Sequence, residues 1–348
     1  MRVLYLYSGT RKDKWRGVPG VDFPDTQLYG FNHLQGAGFS AVSKELSDFL
    51  PNYIARIIPF RLRHILLYFA TKNYDAVFGP SLLYAMILQK IFKRKSRFVL
   101  LNISLSRTLI ANRHSKFRFA LLRSLLMELS GVVCLSRTQK SFIEKEVHFL
   151  KGCVYEVSMG VDVAYHKPVY ANRKKYILSV GRDNGRDYKT VIEVARLMPD
   201  RVFHIVCSKR NLSGITDVPE NVHIFFDILS YDLYKKYQEA HALLMITHDD
   251  TYQDGSDCSG QTVLLEAMAN GLPIIASRKE YITEYVKENE DALLVDFYNP
   301  AEIVEKIHLL DDALFRENLA IHARARVERD FSTKKMAENL ADVFKKIV

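Results

Sequence analysis

Short apolar runs alternate with helical patterns along the whole chain, and this alternation constrains the fold more than any other feature. Among the runs are "RVLYLYS", "RFVLLNIS", "KYILSVG" and "ALLMITH". The helical stretches between the runs include Leu82–Lys90, Phe117–Leu129, Tyr188–Met198, Tyr231–Ala240 and Gln261–Ala269. Short strands that are apolar throughout, with helices between them, are typical of parallel sheets covered on both faces. The sequence therefore predicts an α/β fold.

The pattern restarts near Tyr176, after the polar stretch "HKPVYANRKK". A chain of 348 residues is long for one core and suits two domains. We predict an N-terminal Rossmann-like, doubly wound domain over residues 1–170 and a C-terminal one over residues 171–330. In such folds ligands bind at the carboxyl ends of the strands. We therefore expect the two domains to face each other across a cleft that holds the chemistry.

Charge is unevenly distributed along the chain. Residues 1–168 carry 25 Lys and Arg against 11 Asp and Glu, a net +14, whereas the remainder carries 24 against 29, a net −5. A basic first half favours an anionic partner such as a membrane surface, a phosphorylated substrate or nucleic acid. Ordinary solvated surface charge is the alternative. No nucleic-acid-binding motif is present, and we expect no nucleic-acid partner.

The sequence lacks the motifs that are typical of several classes of enzyme. No GxGxxG follows the first strand, and GxxxxGK[ST], HExxH, GxSxG and DxD are all absent. The four cysteines and the histidines show no zinc-ligand spacing. No apolar run reaches the ~18 residues of a membrane span, and the first residues do not resemble a signal peptide. We expect a cytoplasmic protein that needs no cofactor or metal.

The segment "DCSGQTVLLEAMANGLPIIAS", Asp257–Ser277, predicts a loop, a buried helix and a strand. Ser259 or Gly260 suits the N-cap, and the glycine and proline of "NGLP" end the helix. The unpaired amides at the helix N-terminus suit a diphosphate. Glu266 lies on a helix that is apolar nearly all round, so its carboxylate needs partners, and two ribose hydroxyls would supply them. Alternatively, Glu266 faces solvent or pairs with a structural arginine.

A second polar loop follows the first strand of the C-terminal domain, in "SVGRDNGRDYKTVIEVA". It carries Arg182, Arg186 and Lys189, and such cations can grip a diphosphate. The alternative is a helix-start loop whose arginines pair with Asp183 and Asp187.

Together these segments resemble the nucleotide-sugar half of a retaining glycosyltransferase of family 4, with the two-domain GT-B fold. "VVCLSRTQKSFI" and "VSMGVD" resemble the family's blocks that precede the interdomain linker. The resemblance implies transfer from a UDP- or GDP-linked sugar without a metal, as in polysaccharide biosynthesis. It also implies that a C-terminal helix, within residues 331–348, crosses back onto the N-terminal domain.

The resemblance also implies roles for individual residues. Arg182 and Lys189 would bind the diphosphate and stabilise the departing nucleotide, with Arg186 as a substitute, and Glu266 would bind the ribose. Backbone amides of the loop and helix start would contact phosphate and sugar; the donor-binding residues expected there are Asp257, Cys258, Ser259, Gly260, Gln261 and Thr262.

This chain departs from the family pattern in two places. The family's sugar-binding glutamate, eight residues before the ribose glutamate, is replaced by Cys258. Asp257 or Asp254 would then take over its contacts, or backbone groups would suffice. The family also often has a histidine after a first-domain strand, whereas here none follows "RFVLLNIS" until His114.

The loop "WRGVPGVDFPD" follows the first strand and is the predicted acceptor-binding segment, through Gly17, Gly20, Asp22 and Asp25. Cations interleaved with apolar residues in "KIFKRKSRF" and "NRHSKFRFALLRSLL" suit an anionic lipid surface. We expect a glycan or lipid-linked glycan acceptor and peripheral contact with the inner face of the plasma membrane, although an ordinary half-buried helix also explains the pattern. A sugar-nucleotide epimerase of related fold and a non-catalytic nucleotide-sugar-binding protein are the rival functions.

Overall fold

The computed structural model describes residues 1–7, 23–45, 48, 57–170, 176–252 and 254–347. The described chain forms two compact units, each with its own sheet. The first contains residues 1–7, 27–45, 48, 57–158 and 333–347, and the second contains residues 23–26, 159–170, 176–252 and 254–332.

The first unit is built on a parallel six-stranded sheet of order β2-β1-β3-β4-β5-β6. Its strands are β1 (Arg2–Tyr7), β2 (Ser40–Glu45), β3 (Ala76–Gly79), β4 (Arg97–Leu101), β5 (Gly131–Cys134) and β6 (Val154–Glu156). Its helices are α1 (Phe60–Leu66), α2 (Met86–Phe92), α3 (Leu105–Asn112), α4 (Lys116–Leu126), α5 (Arg137–Glu146) and α12 (Thr333–Ile347).

The second unit has a parallel six-stranded sheet of order β12-β11-β10-β7-β8-β9. Its strands are β7 (Ile177–Val180), β8 (Phe203–Cys207), β9 (Val222–Phe226), β10 (Ala242–Met245), β11 (Ile274–Ser277) and β12 (Leu293–Val295). Its helices are α6 (Tyr188–Leu197), α7 (Ser230–Glu239), α8 (Gln261–Ala269), α9 (Glu280–Thr283), α10 (Pro300–Leu309) and α11 (Ala313–Asp330). This is the strand order of dinucleotide-binding folds, and the predicted class of two Rossmann-like domains is confirmed.

The central strands are buried along their whole length, as the apolar runs predict. All residues of β3, β5, β7 and β10 are buried, and helices pack against the sheet in both units. Polar caps begin the covering helices: Ser136 accepts the amide of Gln139 at the start of α5, and Asn299 accepts that of Glu302 at the start of α10. Local sequence thus sets where these two helices begin, and burial of their apolar residues holds them on the sheets.

Helix α12 packs within the first unit although it comes last in the chain. Its residue Phe344 is fully buried, with ring centroids 5.7 Å from Phe78 of β3 and 6.0 Å from Phe39. Gly30 lies so close to the helix that an added Cβ would be 2.9 Å from the Ala337 nitrogen. Glycine at position 30, with φ of +75°, therefore permits the contact.

Within the described part of the chain, no helix combines the length and the apolar character needed to cross a bilayer.

Phe344→Ala should lower the free energy of unfolding of the first unit by about 3–5 kcal/mol, because it removes a buried aromatic ring and leaves a cavity. Denaturant unfolding measures the change. Lys346→Ala, an exposed position on the same helix, is the matched control and should change stability by less than about 0.5 kcal/mol. Equal effects of the two substitutions would contradict the packing described for α12.

Candidate functional site

The second sheet has one topological switch point, between the adjacent strands β7 and β10. From β7 the chain continues to β8 and β9 on one side, whereas β10 is followed by β11 and β12 on the other. In open α/β sheets such a point creates a crevice beyond the carboxyl ends of the strands, where ligands bind. The loops after β7 and β10 are the two predicted donor-binding segments, so the fold brings them to the same edge.

The three predicted cations, on the loop after β7 and the first turn of α6, differ in exposure and in partners. Arg182 is exposed, with its Nη2 3.1 Å from a carboxylate oxygen of Asp227. Lys189 is exposed on the first turn of α6 and has no ion pair with any described residue. Among the described residues no arginine pairs with Asp187, which instead caps α6 and accepts the amide of Thr190 at 3.1 Å. The alternative interpretation had the loop's arginines pair with Asp183 and Asp187, whereas Asp187 instead has a structural role at the start of α6.

Arg186 differs from the other two cations because it is only 4% exposed. Its Nη2 donates to the carbonyl of Val180, while Nε and Nη1 are buried without a hydrogen-bond partner among the described residues. No described carboxylate forms an ion pair with it. A buried guanidinium with unused donors is costly unless an anion satisfies them, so Arg186 is the strongest anion-binding candidate of the three.

Glycines shape the space around this guanidinium. A Cβ added at Gly181 would lie 2.9 Å from Cγ of Arg186, so the side chain packs on bare backbone there. A Cβ at Gly260 would lie 3.0 Å from Nη1 of Arg186 and 2.9 Å from the sulfur of Met245. Gly260 also has φ of +94°, which favours glycine. The Arg186 guanidinium thus lies against the backbone at the start of α8.

Helix α8 begins where the sequence predicts, with Gly260 as its N-cap. The amide of Gln261 donates to the carbonyl of Cys258 at 3.2 Å, and the helical ladder starts with the bond from the Leu264 amide to the Gly260 carbonyl at 2.8 Å. The amides of Thr262 and the residue after it are among the first-turn groups that lack a helical acceptor. The helix N-terminus and Arg186 therefore place positive potential in the same corner of the unit.

Asp183 connects the two site loops. Its carboxylate accepts the amide of Gly185 at 2.8 Å and that of Ser256, in the loop after β10, at 2.9 Å. Burial acts to raise the pKa of Asp183, but these hydrogen bonds outweigh it and the pKa is lowered. A Cβ at Gly255 would lie 2.7 Å from Cα of Gly185, so the two loops touch at glycines.

Glu266 is half-buried on α8, and one of its partners is a tyrosine that the sequence analysis missed. The hydroxyl of Tyr237 donates to Oε2 of Glu266 at 3.0 Å. Tyr237 is fully buried, and burial together with the Glu266 charge raises its pKa well above the ordinary value. The sequence could have indicated Tyr237, because it contains Tyr231, Tyr234 and Tyr237. This three-residue spacing puts the tyrosines near one face of α7.

The loop before α8 contains the remaining donor-binding candidates. Ser259 is buried, and its carbonyl accepts the hydroxyl of Tyr281. Asp257 and Cys258 are half-buried, and Cys258 forms no disulfide. The carboxylate of Asp254 accepts the side-chain amide of Asn184 at 2.8 Å, a further bond between the two site loops.

Of the predicted acceptor residues, Gly17, Gly20 and Asp22 lie outside the described residues. Asp25 begins a 3₁₀ turn, Asp25–Leu28, and its amide donates to a carboxylate oxygen of Asp162 at 3.0 Å. Asp162 belongs to the "VSMGVD" segment, and its own amide donates to the Thr26 hydroxyl at 3.0 Å. In the described structure Asp25 therefore contributes to the attachment between these two segments.

Comparison with protein families gives a match to Glycosyl transferases group 1 over residues 166–326. Among curated proteins, spore coat protein SA of Bacillus subtilis (strain 168) is 36% identical over 104 residues. That match covers 28% of this chain and 28% of the relative, so the chain spans little more than a quarter of that protein's length.

Solved structures share the fold over the whole chain. Sucrose-phosphate synthase of Thermosynechococcus elongatus has a TM-score of 0.73 at 16% identity, with 99% of each chain covered. HepE of Anabaena in complex with UDP-glucose has a TM-score of 0.69 at 13% identity, covering 99% of this chain and 100% of that one. A glycosyltransferase of Rickettsia africae ESF-5 has a TM-score of 0.68 at 14% identity, covering 99% and 98%. The predicted GT-B fold is confirmed, and the predicted resemblance to glycosyltransferases is confirmed by the group 1 match. Membership of family 4 and retention of configuration stay predictions.

Asp183→Asn should destabilise the second unit by about 1 kcal/mol at neutral pH, since a partly exposed carboxylate loses charge-assisted bonds to two amides. The carboxylate stabilises the fold only while ionised. With a folded pKa lowered below the ordinary value of about 3.9, this stabilisation is complete above about pH 4 and is lost as the pH falls through the folded pKa. The difference between wild type and variant should therefore shrink on acidification.

Urea unfolding between about pH 3 and pH 7 measures this difference. Asp200→Asn, at an exposed carboxylate of the same unit, controls for the loss of one charge. A difference for Asp183→Asn that does not change with pH, or that grows on acidification, would contradict the role of the carboxylate in holding the loops.

Proposed function

Because residues 166–326 carry a Glycosyl transferases group 1 domain, we propose that the chain transfers a hexose from a UDP- or GDP-linked donor to a glycan or lipid-linked glycan. The reaction would retain the anomeric configuration, need no metal and serve polysaccharide biosynthesis in the cytoplasm. UDP is the favoured nucleotide, since HepE, a structural relative, is described in complex with UDP-glucose.

One observation supports this function above the others: the buried Arg186 guanidinium has two donor positions without a described partner, beside the N-terminus of α8. A diphosphate is the anion that such a corner suits, because a guanidinium binds two phosphate oxygens in a fork and helix amides bind a third. In this proposal Arg186 takes the main diphosphate contact. Arg182 and Lys189, which are exposed, would approach the outer phosphate oxygens.

Catalysis then consists mainly of stabilising the leaving group. The bond between the sugar's anomeric carbon and the donor phosphate breaks, and its electron pair leaves with the nucleoside diphosphate. The acceptor hydroxyl attacks from the same face and forms the new glycosidic bond, while its proton goes to the leaving phosphate oxygen. Preorganised cations and amides stabilise the negative charge that develops on the diphosphate. This effect commonly lowers the activation free energy by several kcal/mol.

Glu266 is proposed to bind the ribose hydroxyls of the donor. The hydrogen bond from Tyr237 fixes the orientation of the carboxylate on α8. Ionised carboxylates accept several hydrogen bonds, so vicinal ribose hydroxyls are suitable donors. Gly260, Gln261 and Thr262 would present their backbone amides to phosphate and sugar. Asp257 and Cys258 lie where the sugar is expected and would set which hexose is accepted.

Arg186→Lys should weaken UDP binding about tenfold, corresponding to ~1.4 kcal/mol, because an ammonium cannot reproduce the guanidinium fork. A thermal-shift titration with UDP and GDP measures it, since a bound ligand stabilises the fold by RT ln(1 + [L]/Kd). Arg196→Lys, at an exposed position in the same unit paired with Asp217, is the matched control and should bind like wild type.

Arg182→Ala and Glu266→Ala should reduce the same shift, because each removes a proposed donor contact. A wild-type melting temperature that neither UDP nor GDP changes would refute the proposed function. A wild-type shift that all three site variants retain would refute the site assignment alone. Binding of UDP-sugars without any transfer or hydrolysis would indicate the non-catalytic alternative.

Peripheral contact with an anionic membrane, on the inner face of the plasma membrane, is the second part of the proposal. Helices α2 and α4 of the first unit expose large apolar side chains: Phe117 is 79% exposed, Ile91 66% and Phe92 57%. Lys90, on α2, and Lys116, on α4, are exposed near them in the sequence. Apolar groups beside cations favour the interface of a bilayer rich in acidic lipids.

Wild-type protein should co-sediment with phosphatidylglycerol vesicles at low salt and be released at about 1 M salt, where the screening length falls to about 3 Å. Phosphatidylcholine vesicles should bind it weakly. Phe117→Ser should reduce sedimentation, whereas Leu314→Ser, at an exposed leucine of the second unit, should not. Sedimentation that is absent at low salt, or independent of lipid charge, would count against membrane contact.

A further inference from the structure

The first unit contains a groove with a volume of about 270 Å³ between α3, α4 and the turn that precedes α2. Its apolar floor is formed by Leu83, Leu122 and Leu125, and its rim by Tyr84, Asn112 and Arg118. This volume is just below the 300–1,000 Å³ of typical small-molecule sites. None of these residues belongs to the donor site of the second unit.

Two of the polar side chains along the groove, Thr108 and Asn112, form hydrogen bonds within α3. The Thr108 hydroxyl donates to the Ser104 carbonyl at 2.8 Å, and the Asn112 side-chain amide donates to the Thr108 carbonyl at 2.7 Å. A sugar ring needs several convergent hydrogen-bonding groups, whereas the floor of this groove is apolar and two of its polar side chains already bond within α3. A hydrocarbon chain needs only apolar area, at roughly 25 cal/mol gained per Å² removed from water.

The charge around the groove has one sign. Residues 76–127, which include all three groove elements, contain ten Lys and Arg and not one Asp or Glu. Arg113, Lys116 and Arg118 are exposed and form no ion pair with any described residue. A ligand that places a hydrocarbon in the groove is therefore met at the rim by Arg118, within a basic chain segment, which favours a phosphate head.

Exposed apolar side chains lie on the same helix as the rim cation. Leu121, which also lines the groove, is 52% exposed, and it follows Arg118 by three residues on α4. Residues three apart share a helix face, so the charged and apolar groups meet at one entrance. This arrangement matches an amphiphile, which carries its charge next to its hydrocarbon.

We propose that this groove binds one hydrocarbon chain of an anionic lipid and that Arg118 pairs with the phosphate of that lipid. Such a site would hold a single lipid, in contrast to the broad surface contact of a membrane-associated helix. The inference rests on the proposed membrane contact and extends it to a phosphate-bearing lipid as the class of molecule that the first unit recognises.

The probe is a lysophosphatidate, used below its micelle-forming concentration and titrated calorimetrically against the full chain. Wild type should bind it, glycerol 3-phosphate should not bind because it lacks the chain, and lysophosphatidylcholine should bind at least tenfold more weakly because its head has no net charge. Equal affinity for the two lysolipids would overturn the phosphate pairing. Binding of glycerol 3-phosphate as tight as that of lysophosphatidate would overturn the use of the groove.

Arg118→Glu should weaken lysophosphatidate binding at least tenfold, whereas Lys145→Glu, the same charge reversal at an exposed site on α5, should leave it unchanged. Asn112→Trp, which fills the groove from its rim, should also abolish binding. Both variants should keep the UDP thermal shift, which separates failure of this inference from failure of the proposed transferase. Equal losses of lysophosphatidate affinity in Arg118→Glu and Lys145→Glu would overturn the lipid site. Wild type that binds a short oligonucleotide but not lysophosphatidate would also overturn it.

Discussion

The guanidinium of Arg186 is buried with two of its donor positions unmet by the described protein, and the local structure of the second unit is arranged around it. Removing a cation from water without pairing it costs several kcal/mol. The second unit stays folded because the free energy gained by burying apolar side chains in its sheet and helices outweighs this cost. A site built in this way keeps its positive charge in place before any anion arrives, so binding needs little rearrangement.

Close backbone approaches make this arrangement possible. Gly181 and Gly260 leave room for the Arg186 side chain, and Gly185 and Gly255 let the two loops touch. Asp183 then joins the loops through backbone amides of both. A side chain at any of these glycines would displace a neighbour, so the site depends as much on missing side chains as on charged ones.

Much of the fold follows from the sequence because local pattern and burial agree. The predicted helical stretch Gln261–Ala269 has the same bounds as the observed helix α8, since Gly260 and Gly271 mark its two ends. The predicted Leu82–Lys90 stretch is instead a 3₁₀ turn, Leu83–Ala85, followed by Met86–Phe92. That stretch has no strong capping signal to fix its start, and tertiary packing decides its form.

The site is less predictable than the helices that carry it. The sequence pattern alone does not distinguish Arg182, Arg186 and Lys189. The family resemblance favours Arg182 and Lys189. Only the packing of Arg186 against Gly181 and Gly260 distinguishes it, and the contact with Gly260 joins residues 74 positions apart in the sequence. Tyr237 comes from a different helix, so no local pattern links it to Glu266. The roles of these residues in catalysis stay predictions.

The position of α12 has a consequence for how the protein forms during synthesis. The first unit needs both β1 and α12, so its core includes Phe344, which is synthesised only after the whole of the second unit. The second unit, by contrast, is complete in sequence at residue 332 and can assemble first. An apolar surface on the nascent first unit therefore stays uncovered while the second unit is synthesised, until α12 covers it.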